Sequence, residues 1–333
     1  MEPITIKDIA KALNISTSTV SRALRGSYEI NPETKRLVIE YAEKMNYRPN
    51  PIALSLKENR SRAIGVIVPE IANNFFSQTI NGIEAIAYNR GYHVIIFQSH
   101  ESFEREVVNV QHALSRKVDG LLISLSGKTQ DISHLKNAQE SGMPVVMFDR
   151  VSNDMSTHKV IADNFDGGFQ ATEHLIKKGK RRIAYLASMP NLSNNKSRLE
   201  GYKAALEKNG IEFDDSLVRF CGFYFDDTRK EINDLLDNHS PDAFFAVSDR
   251  VALDCITAVR AKYPENPEKI DFVGFTNLKV AHLLFPPLTT IVQPALEIGQ
   301  NATELLLDLI ESKNKTGNYQ TIKLPVKLEN HSI

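Results

Sequence analysis

Hydrophobic residues recur with a helical period through the first 45 positions of the chain. They predict short amphipathic helices over residues 6–13 and 17–24, and a longer third helix from 32 to about 45. Each helix follows a residue typical of helix N-caps, which in chain order are Thr5, Ser16 and Asn31. Two short helices joined by a tight turn, with a third helix supporting them, indicate a helix-turn-helix unit.

From residue 63 onward the pattern changes to short apolar runs that alternate with helical segments. One series of strands is predicted over 63–69, 92–98, 121–125 and 145–149, and a second over 159–162, 183–187, 217–221, 243–247 and 272–275. Apolar strands alternating with helices favour parallel sheets covered on both faces. There are about twice as many strands as one such sheet usually carries, so the pattern predicts two α/β lobes, with a break near 150–162.

The stretch 46–69 joins these two differently built parts. Pro49 and Pro51 end the preceding helix, because proline lacks an N–H donor and restricts the residue before it. Residues 52–57 could form two turns of helix, which are too short to be stable alone in water. The stretch is either a coupling element that orders only in a suitable environment or a plain linker.

Charge separates the two parts as well. The whole chain has 333 residues and a net charge of −1, yet residues 1–62 carry 11 Lys and Arg against 7 Asp and Glu. A basic head on a mildly acidic body indicates that the head alone meets a polyanion, although a solvated basic surface is the simpler alternative. Two cysteines, no signal peptide and no long apolar run predict a cytoplasmic protein without a membrane partner.

The second predicted helix presents small polar side chains and one guanidinium outward: Thr17, Ser18, Ser21 and Arg22. Short polar side chains allow a helix to approach base edges, and arginine can bond a guanine through two hydrogen bonds. A small three-helix bundle with a polar face would give the same spacing.

The segment TIKDIAKALNISTSTVSRAL, followed by NPETKRLVIEYAEKMNYRPNPIALSL, resembles the DNA-binding head and hinge of the lac-repressor (LacI/GalR) family. The resemblance implies major-groove contacts by Thr17, Ser18, Ser21 and Arg22. It implies DNA-backbone contacts by Thr5, Ser16, Asn31, Thr34 and Tyr47. It also implies that the hinge helix forms on operator DNA and that Leu56 wedges into the minor groove.

The body resembles the ligand-sensing core of the same family in IADNFDGGFQATEHLIKKGKRRIAYLA, SRLEGYKAAL and VGFTN…PPLTTIVQPALEIGQNATELLLDLI. This resemblance implies a periplasmic-binding-protein-like core of two doubly wound parallel-sheet lobes. The expected domains are a head over 1–48, a hinge over 49–62 and a core over 63–333. Within the core, lobe one is expected over about 63–160 and 291–320, and lobe two over about 161–290 and 321–333.

Ligands of open α/β sheets bind beyond the carboxyl ends of the strands. The side chains expected at these ends, in the loops beside them or at a crossover are Asn74, Phe75, Phe76, Ser124, Asp149, Arg150, Arg198, Phe223, Ser248, Thr276 and Gln293. Charged groups, amides and aromatic rings of this kind can bind the hydroxyls and the apolar face of a sugar. Family position favours Asp149, Arg198, Phe76 and Ser248. Many family members carry Asp at the position of Thr276. Threonine removes this negatively charged acceptor of sugar hydroxyls, so an acidic or phosphorylated effector is the alternative to a neutral sugar.

Catalytic motifs are not found. Ser126-Gly127-Lys128-Thr129 imitates the end of a phosphate-binding loop, but Leu122 occupies the position where that motif requires glycine. The family resemblance therefore implies a homodimeric, sequence-specific repressor without a cofactor, gated by a sugar or phosphosugar. The alternative is a sugar-binding protein or an enzyme on the same fold without DNA specificity.

Overall fold

The structure is a computed structural model that describes residues 4–47, 60–223, 225–312 and 318–331. It divides into two compact units, Met1–Ser61 and Arg62–Ile333. The predicted hinge helix over 52–57, with Leu56, lies outside the described residues.

The first unit contains three helices: α1 (Ile6–Leu13), α2 (Thr17–Leu24) and α3 (Pro32–Lys44). The tight break after α1 is made by Asn14, whose φ of 52° lies in the left-handed region that asparagine tolerates. The buried side chains of the three helices form one small apolar core: Ile9, Ala10, Val20, Ala23, Val38 and Ala42. This core fixes the orientation of α2 and leaves its polar face outside.

The second unit contains eight longer helices within the described ranges. They are α4 (Asn74–Asn89), α5 (Phe103–Ser115), α6 (Ser133–Glu140), α7 (Asn164–Lys177), α8 (Ser193–Lys208), α9 (Phe225–Asp234), α10 (Asp249–Lys262) and α11 (Ala295–Glu311). Short 3-10 turns cover Asp215–Leu217, Pro267–Lys269 and Ala281–Leu283, and a π-helical turn covers Leu235–His239.

Twelve strands in the same part of the chain form two six-stranded sheets. In chain order they are β1 (Ala63–Val68), β2 (His93–Gln98), β3 (Gly120–Ile123), β4 (Val145–Phe148), β5 (Lys159–Ala162), β6 (Ile183–Ala187), β7 (Val218–Phe220), β8 (Ala243–Ala246), β9 (Asp271–Phe275), β10 (Thr289–Val292), β11 (Thr321–Leu324) and β12 (Lys327–Glu329). The strand order is β11-β5-β4-β3-β1-β2 in lobe one and β12-β10-β9-β8-β6-β7 in lobe two. All pairs are parallel except β10 with β12. The two-lobed α/β architecture is as predicted.

The strand pairing corrects three predicted lobe borders. β5, expected to open the second series, pairs with β4 and therefore belongs to lobe one. β10 lies in lobe two, which extends that lobe to Val292. β11, assigned to lobe two from the sequence, forms parallel hydrogen bonds with the outer edge of β5, and only β12 returns to the second sheet. The chain therefore crosses between lobes after Ala162, Val292 and Leu324.

One glycine-rich helix pair packs in each lobe. A Cβ added to Gly201 of α8 would lie 2.1 Å from the carbonyl oxygen of Phe165 on α7, and one on Gly168 would lie 2.2 Å from that of Arg198. In lobe one, Gly82 of α4 and Gly299 of α11 approach the partner backbone equally closely, at 2.1 Å. The missing side chains allow each pair of helices to touch backbone to backbone, which places the start of α8 close to the sheet ends.

Candidate functional site

The outward face of α2 carries the four side chains predicted to read DNA. Thr17, Ser18 and Arg22 are exposed, and Ser21 is half-buried. The helix begins at a capped end, because the Ser16 hydroxyl accepts a hydrogen bond from the Thr19 backbone N–H at 3.0 Å. The capped helix start presents a row of hydrogen-bonding groups to the solvent, as a major-groove reader requires.

The residues predicted to contact the DNA backbone mainly occupy helix ends. The Asp8 carboxylate accepts from the Thr5 hydroxyl at 2.6 Å and from the Thr5 N–H at 2.8 Å, and these two hydrogen bonds lower the Asp8 pKa. Asn31 accepts from the Glu33 N–H at 2.9 Å. Thr34 is half-buried on α3, and Tyr47 packs against the head core, where burial raises its pKa. Thr5, Asn31 and Tyr47 therefore have structural roles as well.

Arg198 is a buried cation of the second unit. The sequence placed it on a loop, but it lies within α8, and its side chain is 4% exposed. Its guanidinium donates to Asn164 Oδ1 at 2.9 Å, to the Val247 carbonyl at 2.9 Å and to Gln293 Oε1 at 3.0 Å. It also stacks 3.7 Å from the centroid of the Phe275 ring. One buried cation thus contacts α7, the end of β8, β9 and the crossover that follows β10.

All three of these acceptors are neutral. Within the described residues, no carboxylate lies within ion-pairing distance of Arg198. Burial lowers the pKa of Arg198 to about 10, an effect that the negative charge of Asp149 opposes. A charge desolvated to this degree interacts strongly with any polar group that enters beside it.

Asp149 is buried at the end of β4 in lobe one. Its backbone has a φ of 55°, and its Oδ1 accepts a hydrogen bond from Asn194 Nδ2 of α8 at 3.2 Å. Burial raises the Asp149 pKa, and the positive charges of Arg150 and Arg198 oppose the rise. Asp149 therefore provides a desolvated acceptor that faces lobe two.

Arg150 forms an ion pair on the same side of the cleft. Its Nη1 bonds Glu101 Oε2 at 2.8 Å and Oε1 at 2.9 Å. Its guanidinium carbon lies 5.7 Å from the ring centroid of Phe76 and 5.9 Å from that of Phe223. Because Phe223 belongs to lobe two, this cation joins an aromatic ring from each lobe.

Four further predicted ligand residues lie apart from these two arginines. Ser248 caps α10 by accepting from the Val251 N–H at 3.4 Å, and Thr276 Oγ1 accepts from the Leu278 N–H at 3.1 Å. Phe75 is buried against Phe76. Ser124 is fully buried after β3, and its hydroxyl has no hydrogen-bond partner within the described ranges.

Hydrogen bonds close the cleft between the lobes. Asn74 Nδ2 donates to Asp249 Oδ2 at 3.0 Å, and Asn191 Nδ2 donates to the Gly127 carbonyl at 3.0 Å. The Val151 N–H donates to Ser193 Oγ at 3.1 Å. The Asp149–Asn194 bond and the aromatic contacts of Arg150 cross the same cleft. Water or a ligand could replace these polar contacts between the lobes.

A cavity of about 640 Å³ opens beside these contacts. It is lined by the loops after β3 and β4 and by the start of α8. Arg150 is the one predicted ligand residue on its wall, together with polar neighbours that include Asn191, Ser193 and Lys196. Its volume is in the range of pockets for small organic molecules.

Several residues that build the site were not predicted. Asn164 and Asn194 hold Arg198 and Asp149, Glu101 holds Arg150, and Gln78 bonds Asn277 across the cleft at 3.1 Å. Asn164 stands just after β5, so the strand-end rule could have identified it from the sequence. The other three lie in or beside helices, where the sequence carried no comparable signal.

Other site types are not indicated in the parts of the chain that the structure describes. Gly127 and Lys128 form a turn, as predicted. No group of three or more His, Cys, Asp or Glu side chains could hold a metal ion among the residues described. None of the described helices combines the length and the apolar character needed to cross a membrane.

Known proteins match both units. The profile described as bacterial regulatory proteins of the lacI family matches residues 5–50. The profile described as periplasmic binding proteins and sugar binding domain of the LacI family matches residues 61–332. The HTH-type transcriptional repressor CytR of Escherichia coli K12 is 34% identical over 311 residues, which cover 93% of this chain and 91% of that protein.

Solved structures agree with the profiles over nearly the full length. The lac repressor dimer bound to operator and the anti-inducer ONPF is 25% identical, with a TM-score of 0.85, and the match covers 99% of this chain and 98% of that chain. The complex of the transcriptional regulator CelR with cellobiose is 28% identical, with a TM-score of 0.74 and 98% of both chains covered. These matches confirm the resemblance found in the sequence, and the chain belongs to the LacI family of bacterial regulatory proteins.

Proposed function

We propose that this protein is a transcription repressor whose head binds palindromic operator DNA and whose core responds to a small sugar or phosphosugar held between its lobes. The cleft contacts are the observation that carries the proposal, because a buried Asp149 and a buried Arg198 lie beside a junction that is crossed by exchangeable hydrogen bonds. A sugar-binding protein without DNA specificity would have no use for the polar face of α2. We therefore infer a regulatory rather than a catalytic role.

The effector chemistry follows from the groups around the cleft. Asp149 can accept from a hydroxyl, Arg198 can donate to one, and Phe76 and Phe223 can cover an apolar face of the ligand. Arg150 and Lys196 on the wall of the adjacent cavity suit a phosphate or carboxylate substituent. The hydroxyl of Thr276 is already bonded within its own turn, so we expect a smaller contribution from that position.

A homodimer is the expected assembly, because the lac repressor structure that matches this chain is a dimer. Lobe two exposes three apolar side chains close together in sequence, Val280, Leu283 and Phe285, which suit a surface covered by a second copy. Two heads related by a twofold axis would read two half-sites related as a palindrome. A regulator of bacterial DNA works in the cytoplasm, where the buried thiols of Cys221 and Cys255 stay reduced.

A ligand screen tests the effector proposal. Neutral sugars and phosphosugars are added singly to the full-length protein while the thermal unfolding midpoint is recorded. A ligand that binds only the folded core must raise that midpoint. A panel in which no compound raises it by more than the scatter of the buffer controls would count against a carbohydrate-type effector.

Arg22→Ala tests DNA reading by α2. We expect it to weaken binding to the preferred palindrome by about 1–3 kcal/mol and to relax discrimination at one base pair in each half-site, because arginine can bond guanine through two hydrogen bonds. Fluorescence anisotropy at one fixed salt concentration measures both effects. An equal loss on preferred and scrambled duplexes would show instead that Arg22 contacts only phosphate.

A further inference from the structure

Arg22, the cation on the DNA-facing side of α2, already has a partner in the head. Its Nη1 lies 3.3 Å from Oε2 of Glu29, in an ion pair whose two side chains are both about half exposed. The neighbouring Arg25 turns the other way, because its Nε and Nη2 donate to the carbonyl and hydroxyl oxygens of Ser21. Glu29 is thus the one carboxylate bonded to the base-reading cation among the described residues of the head.

The backbone of Glu29 is held in place by the segment between α2 and α3. The Ile30 N–H donates to the Ser27 carbonyl at 3.4 Å, and the Ser27 N–H donates to the Arg22 carbonyl at 3.1 Å. The Ile30 side chain packs against the head core. Glu29 therefore lies between two residues whose positions are fixed. Its carboxylate can hold the Arg22 side chain in one orientation.

We propose that Glu29 is a positioning residue that sets the sequence specificity of the head by orienting the Arg22 guanidinium toward one base. The inference rests on the proposed DNA reading by Arg22. A carboxylate on Nη1 leaves Nε and Nη2 free to meet the two acceptors of a guanine edge. An arginine held in this way loses less conformational freedom when it binds than one that is free in solvent.

The charge of Glu29 separates specific from non-specific binding. A carboxylate near the duplex repels phosphates, so it weakens binding to every sequence. The Glu29 carboxylate strengthens binding only at sequences where a base accepts hydrogen bonds from the Arg22 guanidinium that it orients. Removing the charge should therefore raise affinity for random DNA and lower discrimination, whereas loss of a simple phosphate contact would lower both affinities equally.

Glu29→Gln in the full-length protein tests this inference. The probes are the palindromic duplex that the unmodified protein selects from a randomised pool, its single-base-pair variants, and a scrambled duplex of equal length. We expect discrimination at the base pair read by Arg22 to fall at least about fivefold, the lower end of what one bidentate contact provides. Affinity for the scrambled duplex should stay the same or rise. The thermal midpoint should hardly move, because an exposed ion pair contributes little to stability.

Glu40→Gln is the matched control, since Glu40 pairs with Arg36 on α3 at 3.9 Å and its loss changes the charge of the head equally. It should leave discrimination unchanged. In the double variant Arg22→Ala, Glu29→Gln, discrimination at that base pair should equal that of Arg22→Ala alone. If Glu29→Gln keeps discrimination within twofold at every position while Arg22→Ala loses it, the positioning role is wrong and DNA reading by Arg22 stands. If Arg22→Ala itself loses no discrimination, the proposed reading fails and the inference fails with it.

Discussion

Arg198→Ala should destabilise the core by about 3–5 kcal/mol and abolish the response to effector. The change leaves three buried acceptors without their donor, on Asn164, Val247 and Gln293. It also removes one of the two positive charges, those of Arg150 and Arg198, that oppose the rise of the Asp149 pKa caused by burial. Urea unfolding followed by far-ultraviolet circular dichroism measures the loss of stability. Calorimetry with the compound found in the ligand screen measures the loss of binding.

Two further variants separate the effect of Arg198 on ligand binding from misfolding. Arg198→Lys keeps the charge, but one ammonium cannot reproduce the planar set of donors, so we expect a smaller loss of stability and still a large loss of ligand affinity. Arg105→Ala, at an exposed position of α5, should change the free energy of unfolding by less than about 0.5 kcal/mol. Unchanged ligand affinity in a folded Arg198→Lys protein would remove Arg198 from the effector site.

Gly201→Ala should destabilise lobe two by about 2–3 kcal/mol. The new methyl group would meet the Phe165 carbonyl oxygen at 2.1 Å and the Phe169 nitrogen at 2.7 Å, so α7 and α8 would have to separate. This cost exceeds the roughly 1 kcal/mol that alanine gains over glycine in a helix. The midpoint and slope of urea unfolding measure the difference.

Glu200→Ala, at the exposed neighbouring position of α8, is the matched control and should change stability by less than about 0.5 kcal/mol. Gly299→Ala should repeat the loss in lobe one, where its methyl group would meet the Thr79 carbonyl oxygen at 2.1 Å. A neutral or stabilising Gly201→Ala would show that the two helices can separate at little cost.

Local patterns predicted the elements well, because each follows from neighbours in sequence. The caps at Ser16 and Asn31 and the apolar run of β1 needed no information from distant residues. β11 could not be placed in this way. Its residues alternate between exposed and half-buried positions at a sheet edge, so its partner is decided by the free hydrogen bonds of β5, more than 150 residues earlier.

The candidate site also combines residues that local sequence predicts with residues that depend on distant contacts. Strand-end positions predicted Asp149 and Ser124, whereas Arg198 was assigned to a loop because its polar neighbours conceal the buried face of α8. The Asn74–Asp249 bond joins residues 175 positions apart, and no local rule connects them. The sequence alone therefore could not predict the contacts that depend on how the two lobes pack against each other.

Coupling between the cleft and DNA is tested most directly by operator affinity measured with and without a bound effector. The compound found in the ligand screen is added at saturation, and the dissociation constant of the selected palindrome is measured at fixed salt by fluorescence anisotropy. We expect a change of about 5–150-fold, and an equal factor when the affinity for the compound is measured with and without the palindrome, because coupling between two sites is reciprocal. A compound that binds the core but leaves operator affinity unchanged within twofold would contradict a ligand-gated repressor, because a ligand that favours neither arrangement of the lobes shifts nothing.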